Sequence, residues 1–587
     1  MNLKQLLKSK AFIVGVVLIV LIVFFSASAR AALFSNVTQS DYYVDAYDGA
    51  KIHVTVFKSV EASGKLPTIL VVHGLGQSSE SMNAISTELA RHGILVVAID
   101  YRGHGDSEGG INYIGEPLMA PNISNDLFAV YSWIAERDDV DLTKFGVIGH
   151  SMGSRAALRF ALFNPTVSAL ILIGPYYVWE STVVNSTYPS ANVLLLVGEN
   201  DIITPPELAY ELFRKLTDYK GEVGKTFGTF ENKTARKLVE IEGVDHYTIL
   251  YNKEALSEIL GWVYDSFGLE GEPNVIVDPS VAGTGVFVSY FVLAFTFVLM
   301  FMVFKALESR FKLGVEVRLK LPLWMKILVI AVVLILYYLI AYYTFPLIVE
   351  KGWESYQFFK MSGAQYTFYY FIYLLTPFAI ALVITGIALF ALKKITKETL
   401  IPRVVGGLLI GVIEAVVVFI WIFIGFNLAF TGLTGDYMPT LQRWGIFFFY
   451  IVLLFPLMLV DEIIFRYLVQ EMMPIENRYG KIAATSVVQY LVRILPFLAW
   501  LAIAVNTPLL VSVISQYYSA GLIENMTIVI AFLPMNAYGL FYAFSSAELF
   551  HAPIGSYLYD RTKNVLASAL VRTLMLAFTL SAVLALL

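Results

Sequence analysis

Phe145-Gly-Val-Ile-Gly-His-Ser-Met-Gly-Ser154 is the stretch on which the reading of this chain turns. A short apolar run ends in Gly149-His150-Ser151-Met152-Gly153, and a helical pattern starts near Arg155. A G-x-S-x-G sequence set between a strand and a helix makes a tight bend that lifts the serine hydroxyl onto the helix N-terminus. The pattern alone is common by chance, so its surroundings decide. Between Ile52 and Phe267, apolar runs at 68–72, 95–99, 145–148, 169–173, 193–197 and 237–241 alternate with amphipathic helical stretches. Such alternation predicts a mostly parallel α/β sheet flanked by crossover helices, with its chemistry at the carboxyl ends of the strands.

Two further strand ends carry reactive residues. Val197-Gly-Glu-Asn-Asp-Ile-Ile-Thr-Pro205 places Asp201 just past one, and Gly243-Val-Asp-His-Tyr247 places His246 past the last. A serine hydroxyl is a poor nucleophile until a base removes its proton during attack. His246 is the candidate base, and Asp201 the carboxylate that would orient the imidazole and stabilise its cation. Glu199 and Asp245 are rival acids. Asp245 adjoins His246, and neighbours in an extended segment point apart, which favours Asp201. The tetrahedral oxyanion needs N–H donors. Met152, directly after the nucleophile, supplies one, and Leu75 in Val72-His-Gly-Leu-Gly76 is the candidate for the second. His73, His104 and His150 read as turn-stabilising or packed residues rather than catalytic ones. Gly221-Glu-Val-Gly-Lys-Thr226 imitates a phosphate loop, but Tyr219 stands where that motif needs its first glycine, and no apolar strand leads into it.

The stretches 71–76, 93–107 (with Asp100-Tyr-Arg-Gly-His-Gly-Asp-Ser107) and 149–153 together resemble the monoacylglycerol-lipase and esterase branch of the α/β-hydrolase superfamily over about 40–270. The resemblance implies hydrolysis of esters, thioesters or peptides without a cofactor, and the order Ser, acid, His agrees with it. One departure is that relatives often insert a sizeable cap where this chain has only 174–192, as in capless dienelactone-hydrolase-like members. The membrane domain or the bilayer surface is then expected to close the acyl pocket. The leading expectation is a membrane-anchored serine hydrolase acting on lipid or acyl-ester substrates. A serine peptidase of the same fold, and a non-enzymatic scaffold or transporter carrying a vestigial hydrolase, are the alternatives.

The membrane expectation comes from composition. Of 587 residues, 57% are hydrophobic and 15% charged, against roughly 45–50% and 25% in soluble proteins. The skew is uneven: 34–275 has globular character, whereas 283–587 is a series of long apolar runs. These fall near 284–304, 323–347, 366–392, 404–430, 445–466, 482–504, 526–547 and 564–586, with a short run at 507–515 that suits a re-entrant segment. At the N-terminus, Lys4, Lys8 and Lys10 precede an apolar run from Ala11 to about Phe25, which suits a cleaved signal peptide or, as favoured here, a signal anchor within 1–33. Lys and Arg concentrate in alternate connectors, among them Lys305 to Lys320, Lys393 to Arg403, Arg478 with Lys481, and Arg561 with Lys563. By the positive-inside rule this predicts a multi-pass cell-membrane protein with a cytoplasmic N-terminus and the hydrolase domain outside. Sequons at Asn36, Asn122, Asn185, Asn232 and Asn525 all fall outside in that layout. There are no cysteines, hence no disulfide or thiolate site, and a net charge of −5 without a basic stripe excludes a nucleic-acid surface.

Near the end of one apolar segment stands Asp461-Glu-Ile-Ile-Phe-Arg466. Each charge at membrane depth costs about 2.5–3.5 kcal/mol on the insertion scale, so such a group signals function or a buried network. The motif resembles the E-E-x-x-x-R of CAAX-prenyl-endopeptidase and bacteriocin-processing intramembrane proteases, with similarity over roughly 400–587. Those proteases need two later histidines, and Arg493 and Arg572 stand in the corresponding places. The resemblance therefore implies a degenerate, metal-free unit serving as scaffold or lipid-binding element. Asp461, Glu462, Arg466, Arg493 and Arg572 are expected to form a buried network, which Glu414 and Glu548 could join. Plain helix–helix ion pairing is an equally good reading.

Overall fold

A computed structural model describes residues 8–111, 121–175, 189–285, 287–288, 300, 322–352, 364–391, 405–420, 441–524 and 526–583. The chain forms two compact units, one within 15–296 and one built from the stretches 297–424 and 441–584.

The first unit is an eight-stranded sheet of β1 (Val37–Asp45), β2 (Lys51–Ser59), β3 (Leu66–Val72), β4 (Leu95–Asp100), β5 (Val140–His150), β6 (Val167–Ile173), β7 (Asn192–Gly198) and β8 (Arg236–Ile241), in the order β1-β2-β4-β3-β5-β6-β7-β8. β1 and β2 are antiparallel, and β3 to β8 run parallel. The runs read from the sequence account for six of these strands. β1 lacks that signature because it is an edge strand with mostly exposed residues, and the largely buried β2 because His53 and Thr55 interrupt its apolar residues.

Alternation along each strand feeds two apolar layers. Leu70, Val72, Val97 and Val147 bury toward the helices Pro121–Ala135, Met152–Phe163 and Pro206–Leu216. Ile69, Val71, Val96 and Ile148 bury toward Asn83–Arg91 and Lys253–Phe267. The parallel register sets Val72 beside Gly149, His150 beside Ile173, Ile173 beside Leu196, and Gly198 beside Ile241. The residues that follow these strand ends therefore emerge along one edge of the sheet. The short connection at 174–192, where a cap was expected to be missing, lies largely outside the described residues.

The second unit is helical: Leu323–Gly352, Ala364–Ala391, Val405–Ile420, Leu441–Ile463 continued by a π-turn Ile464–Gln470, Arg478–Ala504, Thr507–Ser519, Met526–Thr562 and Val565–Val583. Among the described residues of the whole chain, four helices are long and apolar enough to cross a membrane: Phe12–Leu33, Leu323–Lys351, Leu441–Gln470 and Arg478–Ala504. The expected segment near 284–304 lies mostly outside the described residues. The run at 507–515 is short, and one expectation elsewhere changes. The run at 507–515 belongs to a separate 13-residue helix whose first turn is capped by Asn506, the side chain accepting from the Leu509 N–H at 3.1 Å. At about 20 Å it is too short to span. The expected connector after residue 547 is instead helical as far as Thr562, because Met526–Thr562 runs unbroken for 37 residues. That extension is what brings Glu548 into the helical unit's interior.

Candidate active site

Ser151 occupies φ +54° and ψ −119° between β5 and the helix Met152–Phe163. Such a conformation costs about 1–3 kcal/mol for a residue with a side chain and must be over-determined by its surroundings. The Ser151 N–H donates to the Ile173 carbonyl at 2.9 Å, pinning the bend to β6. The two motif glycines have steric causes. A Cβ on Gly149 would lie 2.3 Å from the Gly153 carbonyl oxygen, and one on Gly153 would lie 2.4 Å from that of His73. The helix can start this close to the end of β3 only without those side chains.

Asp201 and His246 meet. The His246 Nδ1 lies 2.7 Å from Asp201 Oδ2, both residues being buried. Asp201 Oδ1 accepts the N–H groups of Ile203 (2.9 Å) and Thr204 (2.7 Å), a turn that aims the carboxylate. The Thr204 hydroxyl donates to Asp201 Oδ2 at 2.7 Å and sits 3.0 Å from His246 Nδ1. With Nδ1 engaged, Nε2 is the ring nitrogen left to serve a hydroxyl. Gly174, the residue after the Ile173 anchor, lets His246 close in, since a Cβ there would lie 3.0 Å from His246 Cε1. The rival acids point elsewhere. Glu199 accepts from the Gly243 N–H at 2.9 Å, and Asp245 caps the turn Thr248–Tyr251 through the N–H groups of Tyr247 and Thr248.

On the loop after β3, three of the four N–H groups from Gly74 to Gln77 are committed. That of Gly74 donates to Gln77 Oε1 (2.9 Å), that of Gly76 to His104 Nε2 (3.0 Å), and that of Gln77 to the Gly74 carbonyl (3.3 Å). The N–H of Leu75 remains. Met152 is the first residue of its helix, so its N–H has no acceptor one turn back. The two sites approach closely, a Cβ on Gly74 lying 3.1 Å from Ser151 Cβ.

Gln77 and Thr204 went unassigned in the sequence, and His150 reads there only as a turn-stabilising or packed residue. His150 is buried, with Nε2 2.9 Å from the His246 carbonyl and Nδ1 3.0 Å from Gln77 Oε1. It thus ties the loop after β3 to the loop that carries His246. Burial, with His246 alongside, holds its pKa well below the ordinary imidazole value. A neutral ring can donate to only one of these two acceptors, so whichever way the Gln77 amide turns, one contact pairs like with like. His73 Nδ1 donates to the Gly74 carbonyl at 2.8 Å, and its ring stacks on Tyr101.

Asp100 anchors the same loop from below, accepting the Ser79 N–H (2.6 Å) and the Asp106 N–H (3.2 Å) and meeting His53 Nδ1 at 3.0 Å. Burial opposes its charge, yet His53 and the Ser79 N–H hold it well below the usual carboxylate range. His53, Asp100 and Asp106 gather at metal-ligand spacing, but the Asp100 oxygens are already committed to these donors.

In the helical unit, Asp461, Glu462, Arg466, Arg493 and Arg572 come together, each 0% exposed. Arg572 donates to Asp461 (2.7 Å), Glu462 (2.5 Å) and Glu548 (2.7 Å). Arg493 pairs with Asp461, and Arg466 donates to Glu462 at 2.9 Å. Three carboxylates thus face three guanidiniums. Gly555 permits the approach, because a Cβ there would lie 2.9 Å from Arg572 Cδ. Glu414 is buried elsewhere, its Oε2 without a hydrogen-bond partner among the described residues.

A family model described as "Serine aminopeptidase, S33" matches residues 65–192. An uncharacterized protein of Mycobacterium tuberculosis is 26% identical over 192 residues, covering 29% of this chain and 65% of the relative, so the chain spans just under two thirds of that relative's length. An uncharacterized abhydrolase domain-containing protein of Dictyostelium discoideum is 32% identical over 97 residues, 16% of this chain and 10% of its own. Among solved structures, the α/β hydrolase GrgF from a Penicillium species is similar at 15% identity and TM-score 0.31, covering 39% of this chain and 99% of that one. Est1E from Butyrivibrio proteoclasticus, solved with ferulic acid, is similar at 19% identity and TM-score 0.30, covering 37% and 97%. Sheet order, the bend at Ser151 and the family match over 65–192 together make the first unit a domain of the α/β-hydrolase superfamily.

Proposed function

We propose that this domain is a serine hydrolase cleaving carboxylic esters of lipid or lipid-like acyl substrates through an acyl-enzyme. The reading rests on one observation above the others: a serine held on a strained bend at a helix N-terminus, and a buried histidine, its Nδ1 taken by a carboxylate, whose own carbonyl is bonded by the residue before that serine. In this reading His246 Nε2 removes the Ser151 proton as the hydroxyl attacks the ester carbonyl. Asp201 stabilises the resulting imidazolium, and the N–H groups of Leu75 and Met152 receive the oxyanion. The imidazolium returns its proton to the departing alkoxide, and water repeats the sequence to release the acid. Apolar substrate is favoured by exposed Leu75, Ile202 and Tyr247, each next to a residue of the site. The family description favours a peptidase as the second reading. A fluorophosphonate probe should label the full chain at Ser151 and leave Ser151→Ala unlabelled. Turnover of acyl esters but not of aminoacyl anilides then separates the two readings, and the reverse pattern rejects the first.

We further propose that the chain is a multi-pass membrane protein, with Lys10–Leu33 as anchor and the hydrolase domain extracytoplasmic. Exposed Val17, Val20, Phe24 and Phe25 on that helix suit a lipid environment. The stretch 400–587 is proposed as a metal-free scaffold or lipid-binding unit, a reading that stoichiometric zinc in the purified protein would reject. The cysteine-free sequence offers a clean background for topology. In intact cells, an impermeant maleimide should react with Ser257→Cys and spare Glu476→Cys; the opposite outcome inverts the topology.

A further inference from the structure

The strands of the first unit have two edges, an amino edge where β3 and β4 begin and a carboxyl edge that carries Ser151. The helix Asn83–Arg91 runs between them. Its N-terminus follows the loop that holds Leu75, and its C-terminus leads down into β4, which starts at Leu95.

Two chain segments climb this helix in the same sense. Read backward from β1, Phe34 lies against Phe57, whose register partner is Val96 near the amino edge. Leu33 then packs on Ala84 in the first turn of the helix. One turn further back, Arg30 feels the charge of Glu80, which belongs to the turn fixed to the last residue of β4 through Ser79 and Asp100. The apolar helix ending at Leu33 therefore heads past the carboxyl edge. The exit segment repeats the climb. The Asn274 carbonyl meets His92 at 3.1 Å, and the Val277 N–H donates to Glu88 at 3.2 Å. Ala282 reaches Ala84, and Gly283 reaches Tyr251, just beyond His246. One buried ion pair serves both tethers. Arg91 donates to Glu88 at 2.7 Å and to the carbonyls of Ala32, Leu33 and Ser35, while Glu88 accepts from Ile276 and Val277.

Both tethers leave the domain at the edge where the site opens, the edge at which Leu75, Ile202 and Tyr247 are exposed. We infer that the carboxyl edge of the sheet faces the bilayer, and that the site takes its acyl substrate from the lipid surface rather than from free solution. This rests on the hydrolase and anchor readings above. An opposite arrangement would force each tether to double back along the whole domain.

The test uses the full chain in lipid vesicles. An environment-sensitive dye is placed on Ile202→Cys or Tyr247→Cys at the carboxyl edge, and on exposed Lys65→Cys at the amino edge. A seven-residue strand separates the edges by about 23 Å. Lipids spin-labelled at the headgroup should quench the first two dyes several-fold more than the third. Equal quenching, or stronger quenching at Lys65→Cys, overturns the orientation whether or not the protein is active. In the same vesicles, diluting a long-chain ester tenfold with inert lipid at constant bulk concentration should lower turnover about tenfold. A rate that follows bulk concentration overturns delivery from the bilayer. Absence of fluorophosphonate labelling of the wild type, with the quenching pattern intact, would instead reject the hydrolase reading alone.

Discussion

Ser151→Ala is expected to lower kcat toward an ester in detergent micelles by about 10⁵–10⁶-fold, and Asp201→Asn by about 10⁴-fold. The two numbers differ for a reason. Without the hydroxyl no acyl-enzyme forms, whereas an amide at position 201 leaves the geometry nearly intact while presenting His246 with the wrong proton arrangement. Asp201 is tied down by the N–H groups of Ile203 and Thr204 and by the Thr204 hydroxyl. Thr204→Val should therefore cost far less than Asp201→Asn, about tenfold, because it loosens the carboxylate without removing it. These residues act as a unit, so adding His246→Ala to Ser151→Ala should lower the residual rate no further. Steady-state kinetics normalised to the concentration of folded protein decide the matter. Retention of more than one per cent of kcat in Ser151→Ala would remove the basis of the assignment.

The second large effect concerns the helical unit. Arg572→Met should lower its stability by about 3–5 kcal/mol, because losing one partner of a buried ionic group leaves uncompensated charge. Arg572 answers Asp461, Glu462 and Glu548 at once. Methionine preserves much of the stem's packing, so the loss reports charge rather than volume. Thermal unfolding in micelles should show a midpoint lower by about 10 °C. Pairing the change with Glu548→Gln restores the balance of two acids to two arginines and should recover part of the loss. An unchanged midpoint in the single variant would mean that the cluster does not hold the helices together.

His150 reads from the sequence as a packed or turn-stabilising residue, but Thr204 and Gln77 could not be singled out beforehand, although one local signal existed for Thr204. An aspartate followed at the third position by threonine, ahead of Pro205-Pro206, suits a side-chain-closed turn. Nothing local marks Gln77, which contacts His150 across 73 residues of chain. β1 escaped notice because an exposed edge strand needs no apolar alternation, and the end of Met526–Thr562 because polar residues buried in an ion cluster look like a connector.

By itself the sequence determined the alternation of strands and helices and the bend at Ser151. Both follow from short-range causes: the period of apolar residues and the steric need for glycine at 149 and 153. It also set the chain order Ser151, Asp201, His246 at three strand ends. Only the tertiary structure decided that Asp201, not Glu199 or Asp245, reaches the imidazole. It alone paired Arg572 with acids 110 and 111 residues earlier, and it alone laid the segments around Leu33 and Val277 along the helix Asn83–Arg91. Those outcomes depend on distances of a few ångströms between remote segments, where hydrogen bonds and buried charges gain or lose their energy, and no local pattern encodes such distances.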